Sequence, residues 1–192
     1  MRKIGLTGSI GMGKSATAAI FKEFGVPVHD SDLAVHEIYA SPEAAPILAA
    51  FPSAAGNGGA DRKKLAEIVL NDPAAMKQLE AIVHPLVSAH RQAFLERARQ
   101  KGARFAVCDV PLLFETRLDR DMDVVLVVSA PFAVQKARVL QRPGMTQAKF
   151  DAILAKQIPD EDKRRRAHLV VDTSNGFEDT RRQIDRFLRT LV

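Results

Sequence analysis

Cysteine is almost missing from this chain of 192 residues. A single one, Cys108, cannot close an intrachain disulfide, which excludes a disulfide-stapled secreted scaffold and leaves Cys108 as a small core residue. Tryptophan is absent and tyrosine occurs once. No aromatic residues interleave with the basic ones, so a base-stacking nucleic-acid platform is not expected. Apolar runs are short, with Val124 to Val128 as an example, far below the ~20 residues of a membrane span. The opening residues Met1 to Gly8 carry basic side chains but no apolar stretch before the glycines, so no signal peptide is expected. No H-E-x-x-H or paired Cys/His spacing suggests zinc, and no G-x-S-x-G elbow suggests a serine hydrolase. These absences point to a soluble cytoplasmic protein with no membrane and no nucleic-acid partner.

What is present is ordinary globular material, 46% apolar and 27% charged, in a length that suits one domain and needs no staple. The net charge is +5. The densest cluster is Lys163-Arg164-Arg165-Arg166, directly after Asp160-Glu161-Asp162. Without aromatics beside it, phosphate is a better counterpart than nucleic acid, and the bland reading of the run is a solvated helix with local pairing.

Apolar runs alternate with helical patterns. Strands are expected at Lys3–Thr7, Val26–Val28, Phe105–Cys108, Val124–Val128 and Leu169–Val171, continuous rather than alternating, as in a parallel sheet buried on both faces. A helix over Ala16–Phe24 ends at Gly25. A long helical insert, about residues 33–102, follows the second strand, with Ser41-Pro42, Asp61 and Asp72-Pro73 as helix starts. His84-Pro85 is expected to interrupt it, and Ala54 to Gly59 reads as a loose, mobile surface loop. A second insert, about 142–167, begins at the Pro143-Gly144 turn, continues as a helix from Thr146 through Gln157, and resumes after Pro159. The expected fold class is α/β: a core over about 1–32, 103–141 and 168–192, the helical subdomain, and a basic flap.

Gly8-Ser9-Ile10-Gly11-Met12-Gly13-Lys14-Ser15 matches G-x-x-x-x-G-K-[ST] without a gap. Such a loop turns backbone N–H groups around phosphate oxygens at a helix N-terminus. Lys14 adds a point charge and the Ser15 hydroxyl can hold Mg²⁺. The motif specifies a nucleotide but no reaction. Asp30 and Asp32 close the second strand on the ligand-binding edge, where a carboxylate can take a proton, position a metal, or cap the next helix. Asp32 is assigned the functional role, and Asp30 is the better cap. Asp109, after its apolar run, is either a metal-side carboxylate or a loop cap. His84 is either functional or a satisfied helix histidine. Arg138 and Arg142, four apart, share a helix face leading into the flap, where cations can neutralise a transferring phosphoryl group.

With these residues and Pro111-Leu112-Leu113-Phe114-Glu115, Gln141-Arg142, Gln157 and Asp172 to Gly176, nearly the whole chain resembles the dephospho-CoA kinase family. That resemblance implies the three-layer fold of P-loop NTPases, a five-stranded parallel sheet flanked by helices with a helical acceptor-binding subdomain and a lid. It implies ATP and dephospho-CoA as partners, Mg²⁺ as cofactor, and phosphorylation of a ribose 3′-hydroxyl. On matching positions, Asp32 would be the base, and Lys14 and Arg142 would stabilise the phosphoryl group. Gly8, Ile10, Gly11, Met12, Gly13, Lys14, Ser15, Ala16, Arg138 and Asn175 would bind ATP. His84, Leu112, Leu113 and Glu115 would line the acceptor side together with Asp32. Ser15 would hold the metal, with Asp30 or Asp109 reaching it through water. Ser9 and Ala16 depart from the family's usual Gly and Thr, and the stretch from Phe51 to Asp61 is shorter than usual. Another P-loop small-molecule kinase is the alternative, and a monomer or weak homo-oligomer is expected.

Overall fold

The computed structural model describes residues 1–191. Five strands, β1 (Arg2–Thr7), β2 (Val28–Asp30), β3 (Phe105–Asp109), β4 (Val124–Ser129) and β5 (Leu169–Asp172), form one parallel sheet in the order β2-β3-β1-β4-β5. β1 pairs with β3 from Arg2↔Phe105 to Leu6↔Asp109, and with β4 from Ile4↔Val124 to Thr7↔Val127. All six residues of β4 are buried, as expected of a strand with a helical layer on both faces. The second strand begins later than its sequence suggests. Pro27 has no N–H for a ladder, although its carbonyl accepts from Val107 N at 2.9 Å, so regular pairing starts at Val28.

The chain divides into two compact units, residues 1–28 with 98–192, and residues 29–97. In the first, α1 (Lys14–Glu23) buries Thr17, Ala18, Ile20 and Phe21, the three-and-four spacing of one helix face. Ile4, Leu6, Leu126, Val128 and Val171 meet that face, and α9 (Phe177–Thr190) adds Ile184. Burying each large aliphatic side chain here is worth roughly 1.5–3 kcal/mol. The same unit holds α6 (Phe132–Leu140), α7 (Gln147–Leu154) and α8 (Asp160–Arg166). Thr146 caps α7 by accepting from Lys149 N, but the helix stops at Leu154 rather than Gln157.

The second unit contains α2 (Ser31–Tyr39), α3 (Ala45–Ala50), α4 (Arg62–Val69) and most of α5 (Pro73–Gln100). Ile38, Ile47, Leu65, Leu79 and Val83 form its core. Asp61 caps α4 by accepting from the N–H groups of Lys63 and Lys64, and Asp72 does the same for Ala74 and Ala75. Two expectations fail here. His84-Pro85 does not interrupt α5, which is continuous through Pro85. Pro85 forgoes one hydrogen bond, a cost of ~3 kcal/mol, but Leu79 and Val83 before it and Leu86 and Val87 after it all pack into the same core and carry the helix across. Ala54 to Gly59 is not loose either. Ala54 is buried, Gly56 N donates to Gly59 O, and Ala60 N donates to Tyr39 O at 2.7 Å. A Cβ on Gly59 would lie 2.0 Å from the Tyr39 carbonyl oxygen, so the glycines permit close packing here rather than motion.

Candidate active site

The phosphate loop joins β1 to α1. Gly11 and Gly13 adopt the left-handed backbone, with φ of 78° and 88°, which lets the chain reverse its curvature before the helix. No side chain caps α1, so its first-turn N–H groups are left for water or an anion. Lys14 Nζ lies 2.6 Å from Asp109 Oδ1 at the carboxyl end of β3. Asp109 is buried, whereas Ser15 is exposed. The sheet register puts Asp109 opposite Leu6, so strand pairing itself brings the motif lysine and this aspartate together.

Other side chains hold the loop in place. Gln135 Nε2 donates to Ile10 O at 2.8 Å, and Ile10 N donates to Gln157 Oε1 at 3.1 Å. Thr173 Oγ1 donates to Met12 O at 2.9 Å, and Ala130 N reaches Met12 Sδ at 3.1 Å. Arg138 donates to both the hydroxyl and the carbonyl of Thr173. Beside the loop is a cleft of about 270 Å³, lined by residues that include Ala16, Arg138, Arg142, Gly176 and Phe177. Arg138 and Arg142 both line it, although α6 ends at Leu140 and Arg142 lies just past the helix whose face the two were expected to share. Asn175 is exposed one residue before Gly176, and its side chain bonds Asp179.

The segment after β3 is more deeply packed than its assignment to the acceptor side implies. Leu112 is exposed, but Leu113 is fully buried against Gly5, so it supports β1. Glu115 Oε1 accepts from Ile158 N at 2.9 Å and lies 3.0 Å from Lys163 Nζ. Burial pushes the Glu115 carboxyl pKa up, but the Ile158 N–H and the Lys163 ammonium outweigh it and hold it below the usual range. Lys163 is wholly buried, which corrects its reading as part of a solvated run. Arg165 keeps to that reading, pairing with Asp162 and Glu161.

In the second unit, Asp30 Oδ1 accepts from the N–H groups of Asp32 and Leu33, so Asp30 caps α2. Asp32 is exposed in the first turn of that helix. His29 is buried, with Nε2 3.1 Å from His90 Nδ1, and His90 Nε2 lies 3.3 Å from Glu37 Oε2. Burial, then the charges of His90 and Arg91, lower the His29 pKa to about 4. His84 is exposed on α5.

A model of the dephospho-CoA kinase family matches residues 2–179. The chain belongs to that family. It is 55% identical over 188 residues to a dephospho-CoA kinase of Rhodopseudomonas palustris, covering 98% of this chain and 94% of that one. It is 53% identical to a dephospho-CoA kinase of Bradyrhizobium diazoefficiens, covering 100% of this chain and 96% of that one. A crystal structure from Thermus thermophilus superposes with a TM-score of 0.83 at 34% identity, covering 100% and 98% of the two chains. A shikimate kinase from Acinetobacter baumannii, 16% identical with a TM-score of 0.56 and coverage of 99% and 94%, shares the fold alone.

As a member of the dephospho-CoA kinase family, the chain has its G-x-x-x-x-G-K-S motif at the turn between β1 and α1. Several supporting residues give weaker sequence signals. Gln135 is a polar residue four positions before buried Val139 on α6, where a buried stripe calls for an apolar side chain. Thr173 ties the end of β5 to Met12 across 161 residues of sequence, with no local signal. Lys163 sits in a seven-residue helix made only of charged residues, so no apolar stripe marks its buried face. Among the described residues, no group of three His, Cys, Asp or Glu side chains could hold a metal, and no helix is long and apolar enough to cross a membrane.

Proposed function

We propose that the protein transfers the γ-phosphoryl group of ATP to the ribose 3′-hydroxyl of dephospho-CoA, giving coenzyme A and ADP. The observation that carries this reading is the phosphate loop with Lys14 set beside Asp109, in a chain whose family is that of dephospho-CoA kinases. Phosphoryl transfer asks little covalent chemistry of a protein, so positioning and charge neutralisation supply most of the catalysis. The loop amides and Lys14 hold the β- and γ-phosphates, and the cleft beside Ala16, Arg138 and Phe177 takes the nucleoside. Asn175 stands near the adenine. Arg142 neutralises charge on the group in transit, and residues 142–167 act as a lid that excludes water.

The donor set fits Mg²⁺, a hard cation that prefers oxygen: Ser15 offers an exposed hydroxyl and Asp109 a carboxylate. When bound, the ion offsets phosphate charge. Asp30 is spent on capping, so Asp109 is the better of the two candidates to meet the ion through water. Asp32 receives the proton of the attacking hydroxyl, and His84 and Leu112 serve the acceptor side. Both substrates are water-soluble, which fits a cytoplasmic enzyme acting as a monomer or weak homo-oligomer.

The Asp32→Asn variant tests the assignment of the base. It keeps the size of the side chain and leaves the Asp30 cap intact. The expected result is a fall in kcat of ~10² or more with the KM for ATP unchanged. A rise in acceptor KM alone would make Asp32 a binding residue.

A further inference from the structure

Lys163 is the only lysine among the described residues whose side chain is wholly buried, an unusual place for an ammonium group. The nucleotide chemistry above gives it no task. Its Nζ lies 3.0 Å from Glu115 Oε1, the oxygen that also accepts from Ile158 N. The other carboxylate oxygen, Oε2, is buried and has no hydrogen-bond partner. Glu115 therefore presents no free, exposed oxygen to an acceptor. Both charges face inward, where each is tolerated because of the other.

The short segment that this pair holds is fastened at two more points. Asp160 Oδ2 accepts from Ser129 Oγ, at the end of β4, at 2.6 Å. Gln157 Oε1 accepts from the Ile10 N–H of the phosphate loop at 3.1 Å. A second clamp runs parallel to the first. Arg166, three residues after Lys163 and so on the same side of α8, pairs with Asp119 at 3.1 Å and stacks over the Phe114 ring at 4.2 Å. Upstream, residues 142–149 are mostly exposed. The root of the flap is thus pinned from β3's following loop, from β4 and from the phosphate loop.

We infer that Glu115 and Lys163 are positioning residues for nucleotide binding: they fix Ile158, and through its neighbour Gln157, which accepts from the Ile10 N–H, they hold the phosphate loop at Ile10. Gln135 holds the carbonyl of Ile10, so that residue's N–H and carbonyl are both fixed. A loop shaped in advance does not have to be ordered when the anion arrives. This assignment rests on the reading that the loop holds ATP, and it moves Glu115 from the acceptor side to the ATP side.

The test uses the full chain and three variants: Gln157→Ala, Lys163→Met, and Lys163→Met combined with Glu115→Gln. MgADP binding is measured by calorimetry, and KM for ATP and for dephospho-CoA by steady-state kinetics. Gln157→Ala removes one hydrogen bond at a partly exposed position and should weaken MgADP binding about five- to ten-fold, with acceptor KM unchanged. Lys163→Met strands the Glu115 charge and should weaken MgADP binding further. The double variant removes both charges but keeps an acceptor for Ile158 N, and should recover most of that loss. Should Lys163→Met fail to fold, Gln157→Ala and the double variant still decide the question. A rise in acceptor KM with unchanged MgADP affinity would overturn the assignment. So would a lowered melting temperature with neither constant altered. Wild-type protein that binds MgADP but leaves dephospho-CoA unphosphorylated would refute the proposed acceptor, yet the calorimetric comparison would still stand.

Discussion

His29 should make the stability of the helical unit depend on pH. The ring is 3% exposed, its Nδ1 is buried with no partner, and Arg91 and Arg97 add positive potential that Asp30 offsets only in part. Its folded pKa of about 4 lies below the ordinary histidine value of 6.5. The unfolded chain therefore binds more protons than the folded one between those two values. The contribution is fully present above pH 6.5 and is lost as pH falls towards 4. At about 1.4 kcal/mol per unit, going from pH 8 to pH 5 should cost about 2 kcal/mol through this residue alone. Urea denaturation of the wild type and of His29→Phe at both pH values isolates the effect. The variant loses the bond to His90 and starts less stable, but its stability should fall by about 2 kcal/mol less over the interval. Equal losses in the two proteins would refute the reasoning, as would an imidazole resonance of His29 titrating near 6.5 in the folded state.

Gly59→Ala places a methyl group 2.0 Å from the Tyr39 carbonyl oxygen, a backbone atom that also accepts from Ala60 N. It should cost about 2 kcal/mol or more in urea unfolding, and a loss below about 0.5 kcal/mol would mean that the segment is free to move. Lys14→Ala removes the cation beside Asp109 and should lower kcat/KM by ~10³ or more, where unchanged turnover would contradict its role.

The sheet was legible in the sequence because buried parallel strands leave continuous apolar runs between helical patterns, and β3, β4 and β5 each start where those runs start. The turn between β1 and α1 was legible because its glycines lie close together in sequence, and Gly11 and Gly13 both take the left-handed backbone. The capping role of Asp30 followed from the same local logic. What escaped was non-local. The continuity of α5 through Pro85 depends on core contacts on both sides of it, which outweigh a local breaker. The packed turn at Gly56 to Ala60 depends on the carbonyl of Tyr39, some twenty residues earlier. Lys163 looked solvated because every neighbour in its helix is charged, and only Glu115, 48 positions away in the chain, shows why it is not.

The most direct test of the whole account is a product analysis. Purified protein is incubated with MgATP and dephospho-CoA, and the products are resolved by chromatography and mass. ADP and coenzyme A are expected in equal amounts, with the new phosphate on the ribose 3′-oxygen and none formed when the acceptor is omitted. ADP released without phosphorylated acceptor, or a phosphate attached at another position, would contradict it.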